Sequence, residues 1–389
     1  MTALFITNDF PPMAGGEAGC YELVCAAVPP ERVVVLAPLL PAADAFDARQ
    51  AYRIIRSRVP VGAHPLARFV QIGIFFRQAV TIVRRERIDD VHIGHLHLGL
   101  VGLALKRLLG TPYVLYLHGG EMAAYLRFAP VRAMARTIVR NSRLIVANSE
   151  YTQARYEAMG MRFPRVETLL RSVGVDRFRP GIDPRGVRRR YGVNGGHVLL
   201  TVGRLVERKG HDMVIRALPQ VERAVGPVQY IVAGSGPEGQ RLQALARALG
   251  CAERVRFIGH VAEEDLAPLY AACDIFVMPS RELAQRDGVE GFGAVFLEAG
   301  ACAKPVVGGR SGGIADAVHD GVTGLLVNPT DVDELAAALI HLLRDPAEAR
   351  RLGAQGRRRA EALERSWKPT VMRIFGGMPG KVPDGDRQE

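Results

Sequence analysis

The sequence predicts an α/β protein made of two doubly wound, parallel-sheet domains that face a cleft. Three observations carry this reading. The chain has 389 residues, room for two domains at about 150 residues each. Apolar strand-like runs alternate with helical patterns along it, which is how parallel sheets covered by helices on both faces are encoded. The alternation breaks once, at a charged stretch bearing Pro and Gly over 181–196, and then restarts.

In chain order, the runs LFITND (4–9), RVVVLAP (32–38), DDVHIGH (89–95), YVLYLHG (113–119) and RLIVANS (143–149) are the expected strands of the first half. They are continuous apolar stretches, as strands buried on both faces must be. Helical patterns fall between them, for example over 99–109 and 130–141. In the second half the strands are HVLLTVGR (197–204), VQYIVAG (228–234), RVRFIG (254–259), DIFVMPS (274–280), PVVGG (305–309) and TGLLVNP (323–329). The expected division is a first domain over 1–180, a hinge over 181–196, a second domain over 197–366, and a helical segment with a mobile tail over 367–389. Ligands in such sheets bind beyond the carboxyl ends of the strands.

One helix has more apolar surface than a single core contact uses. Over 66–85, Leu66, Phe69, Phe76, Val80 and Val83 form the expected core stripe, while Ile72, Phe75 and Ile82 fall outside it. The apolar arc spans about 200°, roughly twice what one contact needs. The surplus meets a neighbouring helix, or it dips into a bilayer surface with Arg68, Arg77, Arg84 and Arg85 on headgroups.

Composition excludes several classes. With 48% apolar and 23% charged residues the chain is not disordered. No apolar stretch reaches the ~18 to 20 residues of a membrane-spanning helix, and the N-terminus has no basic leader. Five cysteines without a CxxC pair suggest free thiols and a cytoplasmic location. The net charge of +11 is concentrated: residues 50–143 hold fifteen Lys and Arg against four acids. Such a face suits an anionic membrane surface, nucleic acid or a phosphorylated substrate, and a solvated arginine-rich surface would read the same way. No nucleic-acid-binding motif accompanies it, so nucleic acid is not the expected partner.

The chemistry-bearing motifs lie at strand ends. In TVGRLVERKGHD (201–212), Gly203 ends a strand, and Arg204 and Lys209 follow at a spacing of five, a planar fork and a point charge able to meet one diphosphate. In EGFGAVFLE (290–298), Glu290 and Glu298 flank a Gly-rich turn that opens a helix. The amides of Gly291, Phe292, Gly293 and Ala294 can hold phosphate oxygens there. Glu298 could reach a ribose and Glu290 the sugar itself. In the first half, Gly15 and Gly16 follow the opening strand, and His118-Gly119-Gly120-Glu121 ends another.

Two motifs invite other readings. Gly234-Ser-Gly236-Pro-Glu-Gly239 matches the GxGxxG of dinucleotide-binding proteins and would make the chain an NAD-dependent oxidoreductase. It follows the second strand of its domain, however, and the next strand ends in Gly259-His260, with no carboxylate there to hold a ribose before Glu263. His92, His95 and His97 invite a zinc reading, but on a strand His92 points away from the other two and no acid or Cys completes the set. No metal is expected.

With these residues assembled, the chain resembles glycosyltransferase family 4, retaining enzymes with the GT-B fold of two Rossmann-like domains. The resemblance rests on the GG loop at 15–16, HGGE (118–121), VGRLVERKG (202–210), the Glu290–Glu298 pair and SGGIADAVHDGVTGLLV (311–327). It implies that Arg204 and Lys209 neutralise the diphosphate of a nucleotide sugar. It implies too that Glu290 holds the hydroxyls of the transferred sugar, Glu298 the ribose, and Gly16 the phosphates. His118 would contact the sugar from the acceptor side, and the backbone near His260 and Val261 would read the base. Neither cofactor nor metal is implied, in keeping with the lack of a DxD-type acid pair in a plausible loop. Two departures stand out. Gly312-Gly313-Ile314-Ala315-Asp316 lacks a proline that many relatives have, and RELAQRDGV (281–289) is longer than in many. That longer segment resembles bacterial mannosyltransferases acting on phosphatidylinositol, which implies a GDP-mannose donor and a lipid-linked acceptor at the cytoplasmic membrane face. UDP-glucose or UDP-N-acetylglucosamine as donor, with a glycan or small-molecule acceptor, is the alternative inside the family. A non-catalytic binder of anionic lipid or nucleic acid is the alternative outside it.

Overall fold

A computed structural model describes residues 1–13, 15–60, 65–119, 128–193, 195–283 and 288–376. The expected alternation folds into two parallel sheets. The first contains β1 (Ala3–Ile6), β2 (Val33–Pro38), β3 (Arg53–Ser57), β4 (Asp90–Ile93), β5 (Tyr113–Leu117), β6 (Leu144–Ala147) and β7 (Val166–Thr168), in the order β3-β2-β1-β4-β5-β6-β7. The second contains β8 (His197–Val202), β9 (Val228–Ala233), β10 (Val255–Gly259), β11 (Ile275–Met278), β12 (Val306–Gly309) and β13 (Leu325–Val327), in the order β10-β9-β8-β11-β12-β13. Each order reverses beside the sheet's first strand, which opens a crevice at its carboxyl edge.

Alternating side chains build a core on each face. In the first sheet Leu4, Ile6, Leu36, Ile93 and Leu115 pack under the helices Pro65–Glu86, Gly99–Leu109 and Ala129–Asn141. Phe5, Val35, Val114 and Tyr116 pack on the opposite face, against the helix Gly16–Ala26. The second sheet is covered in the same way, by Ala294–Ala301 on one face and by His211–Val225 and Val332–Arg344 on the other.

The chain crosses between the sheets twice. Leu169 packs with the first core, while Val173 and Phe178 pack with the second. Part of the stretch expected as a hinge is the short helix Arg185–Tyr191, whose Val187 is buried. The return crossing is the helix Pro346–Ile374. Leu352 and Ala360 lie in the second domain's cores, whereas Trp367, Val371, Ile374 and the following Phe375 lie in the first domain's. Phe375 stacks on His92 at 3.9 Å between ring centroids. Arg143 and Arg32 donate to the carbonyls of Ile374 and Phe375 at 3.0 and 3.2 Å, satisfying the end of the helix. Residues 377–389, expected as a tail, lie outside the described residues.

The helix Pro65–Glu86 corrects the sequence expectation. Its buried face is Gln71, Phe75, Ala79, Ile82 and Val83; Phe69 is 69% exposed, and Phe76 and Val80 are only partly buried. The Leu66 side chain lies outside the described residues. That face includes a polar residue: Gln71 faces inward and accepts from the Asn8 amide at 3.1 Å. A pattern of apolar residues alone cannot register that anchor.

The five cysteines are free and buried. Among the described residues no helix is long and apolar enough to cross a membrane.

The return helix makes the first domain depend on residues 367–375, about 200 positions after its own last strand. Phe375→Ala, which empties one end of that seal, is expected to cost about 3–5 kcal/mol in urea unfolding. Trp367 is the chain's single tryptophan, so its emission reports the same docking and should shift to the red. An unchanged unfolding midpoint would show that this helix end does not bear on the first domain.

Candidate functional site

The site is built where loops at the carboxyl ends of β8, β11 and β12 meet the first domain. After β8, a 3-10 turn Glu207–Lys209 brings two cations to one carboxylate. Lys209 Nζ and Arg208 Nη1 lie 2.6 and 2.7 Å from the same Oε2 of Glu290. All three side chains are largely buried, with 10% of Lys209, 20% of Arg208 and 14% of Glu290 exposed. Burial pushes the Glu290 carboxyl up, but the two cations and their hydrogen bonds outweigh it and hold it at about 2. Burial likewise pushes the Lys209 ammonium down, with Glu290 opposing. Arg204 is exposed beside them and makes no ion pair among the described residues. Gly203 precedes it, its amide bonded to Ala233 O at 2.9 Å.

The Glu290 loop touches the first domain backbone to backbone. A Cβ on Gly291 would stand 2.5 Å from the His118 carbonyl oxygen, so only glycine fits. The Glu290 carbonyl accepts from the Gly313 amide at 2.8 Å, tying in the late GG loop. Gly293 and Ala294 open the helix Ala294–Ala301, and Phe292 is buried beneath them. Glu298, one turn in, accepts from the Tyr270 hydroxyl at 2.7 Å.

Across the cleft, His118 is buried at the end of β5, with Nε2 2.6 Å from the Tyr21 hydroxyl. Tyr21 donates to the Gly94 carbonyl and so ties His118 to the loop after β4. Gly15 and Gly16 are exposed at the start of the helix Gly16–Ala26. His260 and Val261 follow β10 at the edge of the second sheet, the first exposed and the second buried. Gly120 and Glu121 lie outside the described residues.

Three features were not foreseen. Arg208 shares the Glu290 carboxylate. Arg171, on the first crossing between the sheets, donates to the Gly16 carbonyl at 3.0 Å. His95 does have acids beside it: Asp9 stands 3.4 Å from Nε2 and Glu17 3.7 Å from Nδ1. The two acids stand beside different ring nitrogens, yet one ligand atom from each of Asp9, Glu17 and His95 lies within 4.8 Å of the other two, so acids from other segments complete a set around His95 that could hold a cation. His92, as expected, points away, into the packing around Phe375 and Tyr116. His97 accepts from the Asn8 amide at 2.7 Å, and burial lowers it to about 3.

The GxGxxG loop is explained by protein packing. Cβ atoms on Gly234 and Gly236 would stand 2.0 and 2.4 Å from the carbonyl oxygens of Gly203 and Leu205. These glycines let the loop lie against the Arg204 loop, and the oxidoreductase reading loses its motif.

Comparison with known proteins points one way. Residues 14–177 match the family model described as Glycosyltransferase Family 4, and residues 188–359 match Glycosyl transferases group 1. A GDP-mannose-dependent alpha-(1-6)-phosphatidylinositol monomannoside mannosyltransferase of Mycolicibacterium smegmatis is 36% identical over 91% of this chain and 92% of its own. A GDP-mannose-dependent monoacylated alpha-(1-6)-phosphatidylinositol monomannoside mannosyltransferase of Corynebacterium glutamicum is 34% identical over 94% of each chain. Anabaena HepE in complex with UDP shares the fold, with a TM-score of 0.81 at 22% identity over 97% of this chain and 100% of its own. Sucrose-phosphate synthase from Thermosynechococcus elongatus does so with a TM-score of 0.79 at 23% identity over 96% and 97%.

Because the folded Glu290 titrates near 2 against an ordinary 4.5, its contribution to stability is full above about pH 4.5 and is lost as pH falls toward 2. The stability gap between the wild type and Glu290→Gln, measured in urea, should therefore be constant from neutral pH down to about 5 and narrow below that. A gap unchanged at pH 3 would show that the two cations do not hold this carboxylate ionised.

Proposed function

The chain belongs to glycosyltransferase family 4 and is a retaining hexosyltransferase of the GT-B fold, and on that premise we propose that it moves mannose from GDP-mannose to a hydroxyl of a lipid-linked acceptor. The observation that carries the reading is the buried Glu290 carboxylate, paired with Lys209 and Arg208 and set directly behind the contact with His118.

In this reading the donor lies along the carboxyl edge of the second sheet. Arg204 and Lys209 meet the diphosphate, together with amides of the 291–294 turn. The ribose lies on Glu298, the base near His260 and Val261, and the mannose hydroxyls on Glu290. Gly15 and Gly16 let the first domain approach the phosphates, and His118 meets the sugar from the acceptor side. The sugar–phosphate bond breaks through an oxocarbenium-like state with retention, and a diphosphate oxygen takes the acceptor's proton. Stabilising the departing diphosphate is the main catalytic contribution. Cations already gathered at the phosphates supply the charge that a divalent metal would otherwise bring, so no metal is required.

A lipid acceptor calls for a way to reach a membrane. The helices Pro65–Glu86, Gly99–Leu109 and Ala129–Asn141 cover one face of the first sheet, and Glu86 is the only acid among them. Arg77, Arg84, Arg136 and Arg140 are exposed there together with Phe69 and Leu108. Arginines interspersed with exposed apolar side chains fit an anionic lipid surface, so we place the cytoplasmic membrane against this face.

Two measurements test these statements. In thermal unfolding with GDP, UDP, ADP and NAD in turn, GDP at 100 times its dissociation constant should add about 2.7 kcal/mol, raising the midpoint by several degrees with or without EDTA. A shift with UDP alone would move the donor to a UDP-hexose, and a shift with NAD alone would overturn the reading. In flotation with liposomes, binding should require anionic lipid, weaken in high salt and fall in Phe69→Asp. Equal flotation with neutral lipid would remove the membrane face.

A further inference from the structure

We infer that Arg208 is a positioning residue for donor binding: it keeps hold of the Glu290 carboxylate so that Lys209 can turn its ammonium to the diphosphate. The inference rests on the donor reading above, since it needs a nucleotide diphosphate at this edge of the second sheet.

Lys209 is paired with Glu290, its Nζ 2.6 Å from Oε2. A carboxylate this buried must keep a cation, because an unpaired charge in the interior is strongly unfavourable. With Lys209 as its sole partner, binding a phosphate would strand Glu290. Arg208 on the same oxygen removes that conflict. Of the two cations, lysine is the one suited to leave. Its ammonium is a point charge on a flexible stem with freely rotating donors, whereas arginine's planar fork matches a carboxylate.

The backbone agrees with this division of labour. The Arg208 carbonyl accepts from the Arg281 amide at 2.8 Å, and the Arg281 guanidinium reaches Asp212 at 3.1 Å in the first turn of the following helix. Arg281 thus fastens the turn carrying Arg208. The charges also balance. Arg204, Arg208 and Lys209 against Glu290 leave a net of two positive charges, matching the roughly two negative charges of a sugar-linked diphosphate. Without Arg208 one charge would be missing.

The test is calorimetric titration of GDP into the full chain as wild type, Arg208→Gln, Glu290→Gln and the double variant. Arg208→Gln is expected to weaken GDP about tenfold. The double variant should recover most of that loss, since Lys209 then has no carboxylate to hold. Arg208→Lys, which keeps a charge on Glu290, should bind within about threefold of wild type. It also serves as the folded comparison if Arg208→Gln proves unstable. A purely structural Arg208 would lose affinity equally in both backgrounds, and that result overturns the inference, as does wild-type affinity in Arg208→Gln. Binding of UDP or ADP in place of GDP by the wild type would move the donor class, and the same cycle would then be read with that nucleotide. A wild type that bound no nucleoside diphosphate would overturn the donor reading, and this inference with it.

Discussion

The ion pairs at Glu290 hold together parts of the chain that share no sequence neighbourhood. Its carboxylate takes Lys209 and Arg208 from the loop after β8, and its carbonyl takes the Gly313 amide from the loop after β12. The next residue lies against the His118 carbonyl of the other domain. One residue therefore fixes three loops and the approach of the two sheets. Removing one partner of a buried charge pair costs about 3–5 kcal/mol, so the cations here are part of the fold. The glycines around it follow from the same demand: with backbones this close, there is no room for a side chain.

The same economy appears on the opposite wall of the cleft. Tyr21 links His118 to the Gly94 carbonyl, and Asp9 and Glu17 bracket His95. Both walls are polar groups paired with each other. A ligand entering such a cleft exchanges partners rather than filling a void, which favours hydroxyl-rich and charged molecules over apolar ones.

Much of the architecture was legible because parallel strands buried on both faces write continuous apolar runs. Every run named from the sequence is a strand. The two strands missed are edges: Arg53–Ser57 begins and nearly ends in arginine, and Val166–Thr168 is too short for any pattern. Among site residues, Lys209 and Glu290 were legible from motif, and the structure brings them into contact across 81 positions. Arg208 was hidden by its neighbour, since two adjacent cations in a charged turn look like surface. The Asp9, Glu17 and His95 group comes from three separate segments, and spacing within one strand could not show it. Phe69 and Phe75 exchanged roles, and the face that is buried includes Gln71, a polar residue that a pattern of apolar residues leaves out.

The return helix has a consequence for how this protein comes into being. The first sheet is complete in sequence by Thr168, yet one of its faces is sealed by Trp367, Val371, Ile374 and Phe375. About 200 residues separate the two, some 10–40 s of synthesis at ribosomal speed. Through that interval the nascent first domain carries an open apolar face, while the second domain grows behind it. Native packing of the amino-terminal half waits on the far end of the chain, so the half that is made first is the half that is finished last.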